Sequence, residues 1–221
     1  MAKGQYSAQV IWQGRLGGFV YKKDAFGEQV ISIYKGKPRD PKTESQQLTR
    51  SKLGLLSSLG HIFLPATRLG LKTYGAENKI FPSNAFFKLN YGNLTGTAPD
   101  NVSIDPSKIV CAWGNLTGVV FSSTIGTSTP GTLTVSVTDI NAEVFDASSN
   151  DSIYCFVFCP DAKAGVLSAA AHRTDGATLS VRYPNSWSGL EVHVYGFVIG
   201  GSDETIGTAS QSEYIGHAEL G

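Results

Sequence analysis

The residues best able to do chemistry here are four histidines, His61, His172, His193 and His217, and three cysteines, Cys111, Cys155 and Cys159. A zinc or iron centre needs several His, Cys or carboxylate ligands converging at short loop spacings. None of the four histidines has a His or Cys neighbour placed that way. Cys155 and Cys159 fall in the run Ile153-Tyr154-Cys155-Phe156-Val157-Phe158-Cys159, where a strand would turn both to one face but too far apart for an easy disulfide. An odd number of cysteines without an export signal also argues against a disulfide framework, so core packing is expected. His193 alternates with Val192 and Val194, which predicts that it points away from the core, into solvent. Asp139, Glu143, Asp146 and Asp151 cluster, with Asn141 and Asn150 beside them, but the ordered Asp-x-Asp-x-Asp-Gly calcium loop is absent and a solvated loop is expected. The chain lacks a Gly-x-Ser-x-Gly nucleophile elbow and a phosphate-binding Gly-rich loop ending in Gly-Lys-Ser/Thr. No acidic residue sits within an aromatic stretch that would raise its pKa toward general-acid work. The reading is of a protein that is not an enzyme, with no catalytic residue, no metal and no cofactor.

Charge points instead toward a macromolecular contact. The net charge is zero, yet residues 1–80 carry 13 Lys and Arg against 5 Asp and Glu, a balance of +8, and residues 81–221 carry 5 against 13, a balance of −8. Such a split suggests a basic surface that meets nucleic acid or the acidic half of a neighbouring copy. The densest basic stretch is Lys22, Lys23, Lys35, Lys37, Arg39 and Lys42, with Tyr34 inside it. Without a helix-turn-helix, zinc-finger or RNA-recognition signature, nucleic-acid contact there would be unspecific and salt-sensitive.

The elements that must carry these residues are mostly strands. Gly is abundant at 25 residues and charged residues make up only 16%, which with plentiful Ser, Thr and Val favours short strands and tight turns over a helical bundle. Strands are expected at 5–12, 16–21 and 28–34, with a bulge or close approach at Gly17-Gly18. One helix is expected from about Lys42 to Leu59. Asp40-Pro41 and the Thr43/Gln46 pair signal its start, Leu48, Leu55, Leu56 and Leu59 lie near one face, and Gly60 and Pro65 mark its stop. A short helical stretch is expected at 84–90. From residue 108 onward strands are expected at 109–113, 116–121, 132–137, 153–158, 166–171, 178–181, 190–199 and 214–217. Turn signals at Pro130-Gly131, Asp175-Gly176, Pro184-Asn185 and Gly200-Gly201 separate the later ones. Gly92-Asn93-Leu94-Thr95-Gly96 recurs as Gly114-Asn115-Leu116-Thr117-Gly118, read as two strand-to-strand turns rather than a solenoid repeat. No apolar run approaches the ~18 residues of a membrane span, and Met1 to Tyr6 lacks a signal-peptide core.

Three sets of motifs carry a resemblance. They are Gly14-Arg15-Leu16-Gly17-Gly18-Phe19 with Gly36-Lys37-Pro38 and Pro41 to Gln46; Ala85 to Asn90 with Ile104-Asp105, Ser107-Lys108 and Trp113 to Gly118; and Arg173 to Gly176 with Pro184 to Tyr195. Over nearly its whole length the chain is similar to a domain-of-unknown-function family of Bacteroidetes-type bacteria and their phages or mobile elements. The resemblance implies a β-rich fold and brings no activity, ligand or catalytic residue with it.

The sequence thus predicts a mainly β protein: an N-terminal β-hairpin arm and one helix, followed by an antiparallel β-sandwich. Residues 1–99 would form the arm, helix and connecting segment, and residues 100–221 the sandwich. The expected function is that of a self-assembling structural protein, a component of a bacteriophage virion (capsid, tail or tube), cytoplasmic until assembly and then part of a virion or other extracellular particle. Its partners would be copies of itself and other structural proteins. The expected interface is the arm, through Tyr6, Val10, Trp12, Phe19, Tyr21, Lys22, Lys23, Ile31, Ile33, Lys35, Lys37 and Arg39. The alternative is a sandwich module that binds glycan or protein, whose contact would be Trp187 in Pro184-Asn185-Ser186-Trp187-Ser188-Gly189, although a turn Trp covering the sandwich end is the favoured reading of that residue.

Overall fold

A computed structural model describes residues 13–24, 27–36, 40, 42–140, 147–173, 178–202 and 205–221. The expected strand at 5–12 lies outside them. The chain forms two compact units, residues 1–42 and residues 43–221.

In the first unit, β1 (Gly14–Leu16), β2 (Phe19–Lys23) and β3 (Gln29–Ile33) make a three-stranded antiparallel sheet in the order β1-β2-β3. The strand expected at 16–21 is divided by Gly17-Gly18, which is the two-residue turn between Leu16 and Phe19, with Gly17 at φ +58°. A left-handed backbone there needs glycine, so the pair makes a hairpin and not a bulge.

The second unit begins with four helices where one long and one short were expected: α1 (Glu44–Ile62), α2 (Leu64–Gly70), α3 (Lys72–Glu77) and α4 (Pro82–Asn90). The Thr43 hydroxyl accepts from the Gln46 N–H and caps α1, while Asp40 lies ahead of the helix and its carboxylate accepts from the Lys42 N–H. Gly60 does not stop α1. Its bare backbone faces the Phe86 ring of α4, and the helix continues to Ile62. Pro65 sits in the first turn of α2, where its missing N–H costs nothing, so it starts a helix rather than forbidding one.

The rest is strand: β4 (Leu94–Thr95), β5 (Ser103–Ile104), β6 (Val120–Thr129), β7 (Thr132–Asp139), β8 (Ser152–Cys159), β9 (Ala164–Leu167), β10 (Ala171–His172), β11 (Thr178–Arg182), β12 (Glu191–Ile199) and β13 (Glu213–Glu219). All pairings among the described residues are antiparallel. One sheet runs β10-β8-β12-β13, with β9 beside the far half of β8; a second runs β11-β7-β6; β4 and β5 form a small ladder. The fold is mainly β, as the composition indicates.

The sheet built on β8 and β12 is buried on both faces over Ile153 to Cys159 and Val194 to Val198, which explains the apolar runs there. Ile153, Cys155, Val157 and Cys159 with Val192, Val194 and Val198 meet Leu133, Val135, Val137, Leu179 and Val181 of the second sheet. Phe156, Phe158, Tyr195 and Phe197 point the other way, against Leu56, Leu59, Phe63, Ala66 and Phe86 of the helices. Phe63, between α1 and α2, has the rings of Phe156, Phe158, Tyr195 and Phe86 at 4.8, 5.1, 5.4 and 5.7 Å. Helices, central sheet and outer sheet are therefore three layers of one unit that starts at Thr43, whereas the sequence places its boundary at residue 100. At Gly196 an added Cβ would meet the Phe121 ring at 2.3 Å, so glycine there lets β6 close on β12.

Residues 109–113 form no strand. The Asn90 carboxamide takes a ladder's place, accepting from Val110 N–H at 2.8 Å and donating to Val110 C=O at 2.8 Å. Cys111 N–H reaches the Ser212 hydroxyl and Trp113 N–H reaches Gly70 C=O. With its polar backbone satisfied by these partners, the segment needs no neighbouring strand. Of the two Gly-Asn-Leu-Thr-Gly copies, the first enters β4, and the second is a bend anchored by Leu116 N–H on Ala209 C=O.

Candidate functional site

The register of the hairpin sheet sorts the expected interface residues. Directly paired residues in an antiparallel sheet share a face. Leu16 pairs with Phe19 and Phe19 with Ile33, while Tyr21 pairs with Ile31 and Lys23 with Gln29. Phe19, Tyr21, Ile31 and Ile33 therefore lie on one side, Leu16 joins them, and Lys23 closes the row. Lys22 lies on the opposite face with Val20 and Val30, and Lys35 follows the end of β3. Tyr6, Val10, Trp12, Lys37 and Arg39 lie outside the described residues.

This face is apolar and open. Ile33 is 69% exposed, Ile31 58%, Leu16 56% and Phe19 48%; Tyr21 is half-buried. A three-stranded sheet ordinarily folds by burying one face on a core. Here the face that should serve carries five large apolar side chains in the only sheet of its unit among the described residues. Leu16 escaped the sequence reading because Gly17-Gly18 looked like an interruption inside a strand; a hairpin turn there puts residues 16 and 19 opposite each other. Arg15 lies over the Tyr34 ring at 3.7 Å, which holds one cation of the unit against the sheet.

The charge split keeps its sign but narrows when drawn at the structural boundary, because the net +3 of residues 43–80 belongs to the second unit. Residues 1–42 hold eight Lys and Arg against three Asp and Glu, net +5; residues 43–221 hold ten against fifteen, net −5.

The other sequence candidates behave differently. Trp187 is only 3% exposed, at the end of the 3-10 turn Asn185–Trp187, and packs into the core between the two sheets. It covers the end of the sandwich and presents no ring to a ligand. Asp151 is not part of a solvated loop. Fully buried, it accepts from Arg173 Nε at 2.9 Å, Ser148 N–H at 2.9 Å and Gly201 N–H at 3.0 Å. Arg173, 2% exposed, donates its remaining nitrogens to Ile140 C=O and Thr117 C=O. The pair ties four loops together at the sandwich end. Glu143 and Asp146 lie outside the described residues.

All three cysteines are buried and free. Burial pushes the Cys111 thiol up to about 12 and the Cys155 thiol also upward, which removes the thiolate that nucleophilic or metal chemistry requires. His193 is half-buried rather than exposed. Its Nδ1 is 3.0 Å from the Tyr214 hydroxyl, and the ring lies 6.0 to 6.2 Å from Phe158, Tyr214 and His217. Burial lowers its pKa, with His217 adding to the effect and Glu191 and Asp105 opposing it. Across β12 the helix-facing side continues past the helices, so His193 lies on the Tyr195 face, and the Tyr195 hydroxyl donates to Pro106 C=O at 2.8 Å. Among the described residues no three His, Cys, Asp or Glu side chains gather as metal ligands, and no helix is long and apolar enough to cross a membrane.

A family model, described as a family of unknown function (DUF6266), matches residues 13–216. The chain belongs to the DUF6266 family. The DUF6266 match includes both the hairpin sheet and the layered unit, so the open apolar face is part of what the family model covers. No curated protein and no solved structure matches this DUF6266 chain.

Proposed function

We propose that this DUF6266 protein is a non-enzymatic structural subunit that assembles with copies of itself, its hairpin face seating on the acidic layered unit of an adjacent copy. The particle we infer is of bacteriophage type, a capsid, tail or tube. The subunit would be cytoplasmic until incorporated, with further structural proteins as neighbours. One observation carries the reading: Leu16, Phe19, Ile31 and Ile33 share one face and stand about half or more exposed. Contiguous exposed apolar surface on a small unit marks an interaction site. Fully burying a large apolar side chain stabilises by ~1.5–3 kcal/mol, so covering four half-exposed ones supplies several kcal/mol. The opposite charges of +5 and −5 choose the occupant, because a basic unit is repelled by its own kind and drawn to an acidic one. Screening over about 10 Å at 0.1 M salt leaves charge to steer the encounter while apolar burial holds it.

Light scattering and negative-stain microscopy of the purified full chain across a concentration series test this. Concentration-dependent particles, forming faster at low salt, are expected. A monodisperse monomer at high concentration and low salt would overturn the proposal.

A further inference from the structure

A second site lies within the layered unit, built from α3, the bend at 113–116 and the loop before β13. It is a cavity of about 360 Å³, inside the ~300–1,000 Å³ range of small-molecule sites. Its walls are tied together before any ligand arrives. Thr73 Oγ1 donates to Gly207 C=O at 2.5 Å, Thr208 Oγ1 donates to Thr205 C=O at 2.5 Å, and Trp113 N–H donates to Gly70 C=O at 3.0 Å.

The lining chemistry is selective. With their protons committed, the Thr73 and Thr208 hydroxyls offer only lone pairs to the cavity. The Glu77 carboxylate adds further acceptors, the Asn115 carboxamide offers both roles, and the Trp113 indole N–H is a donor; among the described residues none of these three side chains has a hydrogen-bond partner. Trp113 and Tyr74 supply aromatic surface. Among the described residues no Lys, Arg or His lines the cavity, and Lys88 Nζ, 5.5 Å from the Tyr74 ring, stands outside the lining, so an anionic ligand would meet the Glu77 carboxylate with no cation in the cavity wall. Glu77 is exposed and keeps its water, so it is poorly placed to bind a cation through a desolvated ion pair. The ligand that fits is neutral, carries several hydroxyl donors and has an apolar C–H face to lie on a ring.

We infer that this cavity binds a neutral saccharide unit, with Trp113 and Tyr74 beneath the sugar and Glu77, Asn115, Thr73 and Thr208 reading its hydroxyls. The reading is independent of assembly through the hairpin.

The test is an array of neutral and acidic mono- and oligosaccharides probed with the full chain, followed by saturation-transfer NMR with glucose, galactose, N-acetylglucosamine, sialic acid and choline. Saturable binding of a neutral sugar is expected, weakened about tenfold or more by Asn115→Ala, which removes an exposed side chain, and by Trp113→Ala. If Trp113→Ala fails to fold, Asn115→Ala and Glu77→Gln decide alone. No neutral sugar bound, binding unchanged in Asn115→Ala and Glu77→Gln, or binding of choline or sialic acid in preference to neutral sugars would each overturn the inference.

Discussion

Replacing Asp151 by Asn should strongly destabilise the layered unit. The carboxylate takes three donors on two oxygens: Gly201 N–H on Oδ1, and Ser148 N–H with Arg173 Nε on Oδ2. An amide nitrogen at either position faces a donor at contact distance, and the Arg173 guanidinium loses its counter-charge while only 2% exposed. Removing one partner of a buried ion pair costs ~3–5 kcal/mol, because the remaining charge is desolvated and alone. For a domain of about 150–250 residues that lowers Tm by roughly 6–20 °C. Urea titration and thermal melts followed by circular dichroism measure it. Asp151→Asn/Arg173→Met should lose less than the sum of the single variants, although the Ile140 and Thr117 carbonyls then lack their donor. An Asp151→Asn protein melting within about 2 °C of the parent would refute the reasoning, since a solvated pair is worth only ~0–1 kcal/mol.

Phe63→Ala should cost ~3–5 kcal/mol, as it empties a site bounded by four aromatic rings, and a loss under about 1 kcal/mol in denaturant titration would count against the helix–sheet packing described. Cys111, Cys155 and Cys159 should resist a thiol reagent until the protein unfolds, with fast labelling of any one in the native state contradicting their burial. Burial lowers the His193 pKa in the folded chain, so the unfolded chain takes up its proton first, near the ordinary pKa of 6.5. Stability should therefore begin to fall as pH drops through about 6.5, the unfolded value, toward the lower folded one. His193→Gln should flatten that slope, and an unchanged slope would assign it to other groups.

How much of this was legible in the chain depends on whether a segment's partners are near in sequence. The Gly131 turn at φ +76° between β6 and β7 and the alternation in Thr132-Leu133-Thr134-Val135-Ser136-Val137 follow from local rules, whereas Gly17-Gly18 reads equally as a bulge within one strand and only the pairing of Leu16 with Phe19 makes it a hairpin. The double burial of Ile153 to Cys159 shows in its lack of polar alternation. By contrast, Pro65 reads as a stop or as a first-turn residue with equal ease, and only the packing of α2 decides. Asp151 and Arg173 are 22 residues apart, and nothing local marks either as buried. The Trp113 cavity joins α3 to the loop at 205–209, with Thr73 reaching Gly207 across 134 residues. No spacing rule spans such a distance. The apolar face of the hairpin was half visible: its strands and side chains were apparent, but sorting Lys22 from Lys23 required the register.

The most direct test of assembly through that face is sedimentation velocity on the full chain beside Ile31→Asp/Ile33→Asp. Both side chains are exposed, so the variant should fold with an unchanged circular-dichroism spectrum and melt. The account predicts that the parent sediments as large, concentration-dependent species and that the variant remains a monomer at every concentration. A variant that assembles like its parent would contradict it.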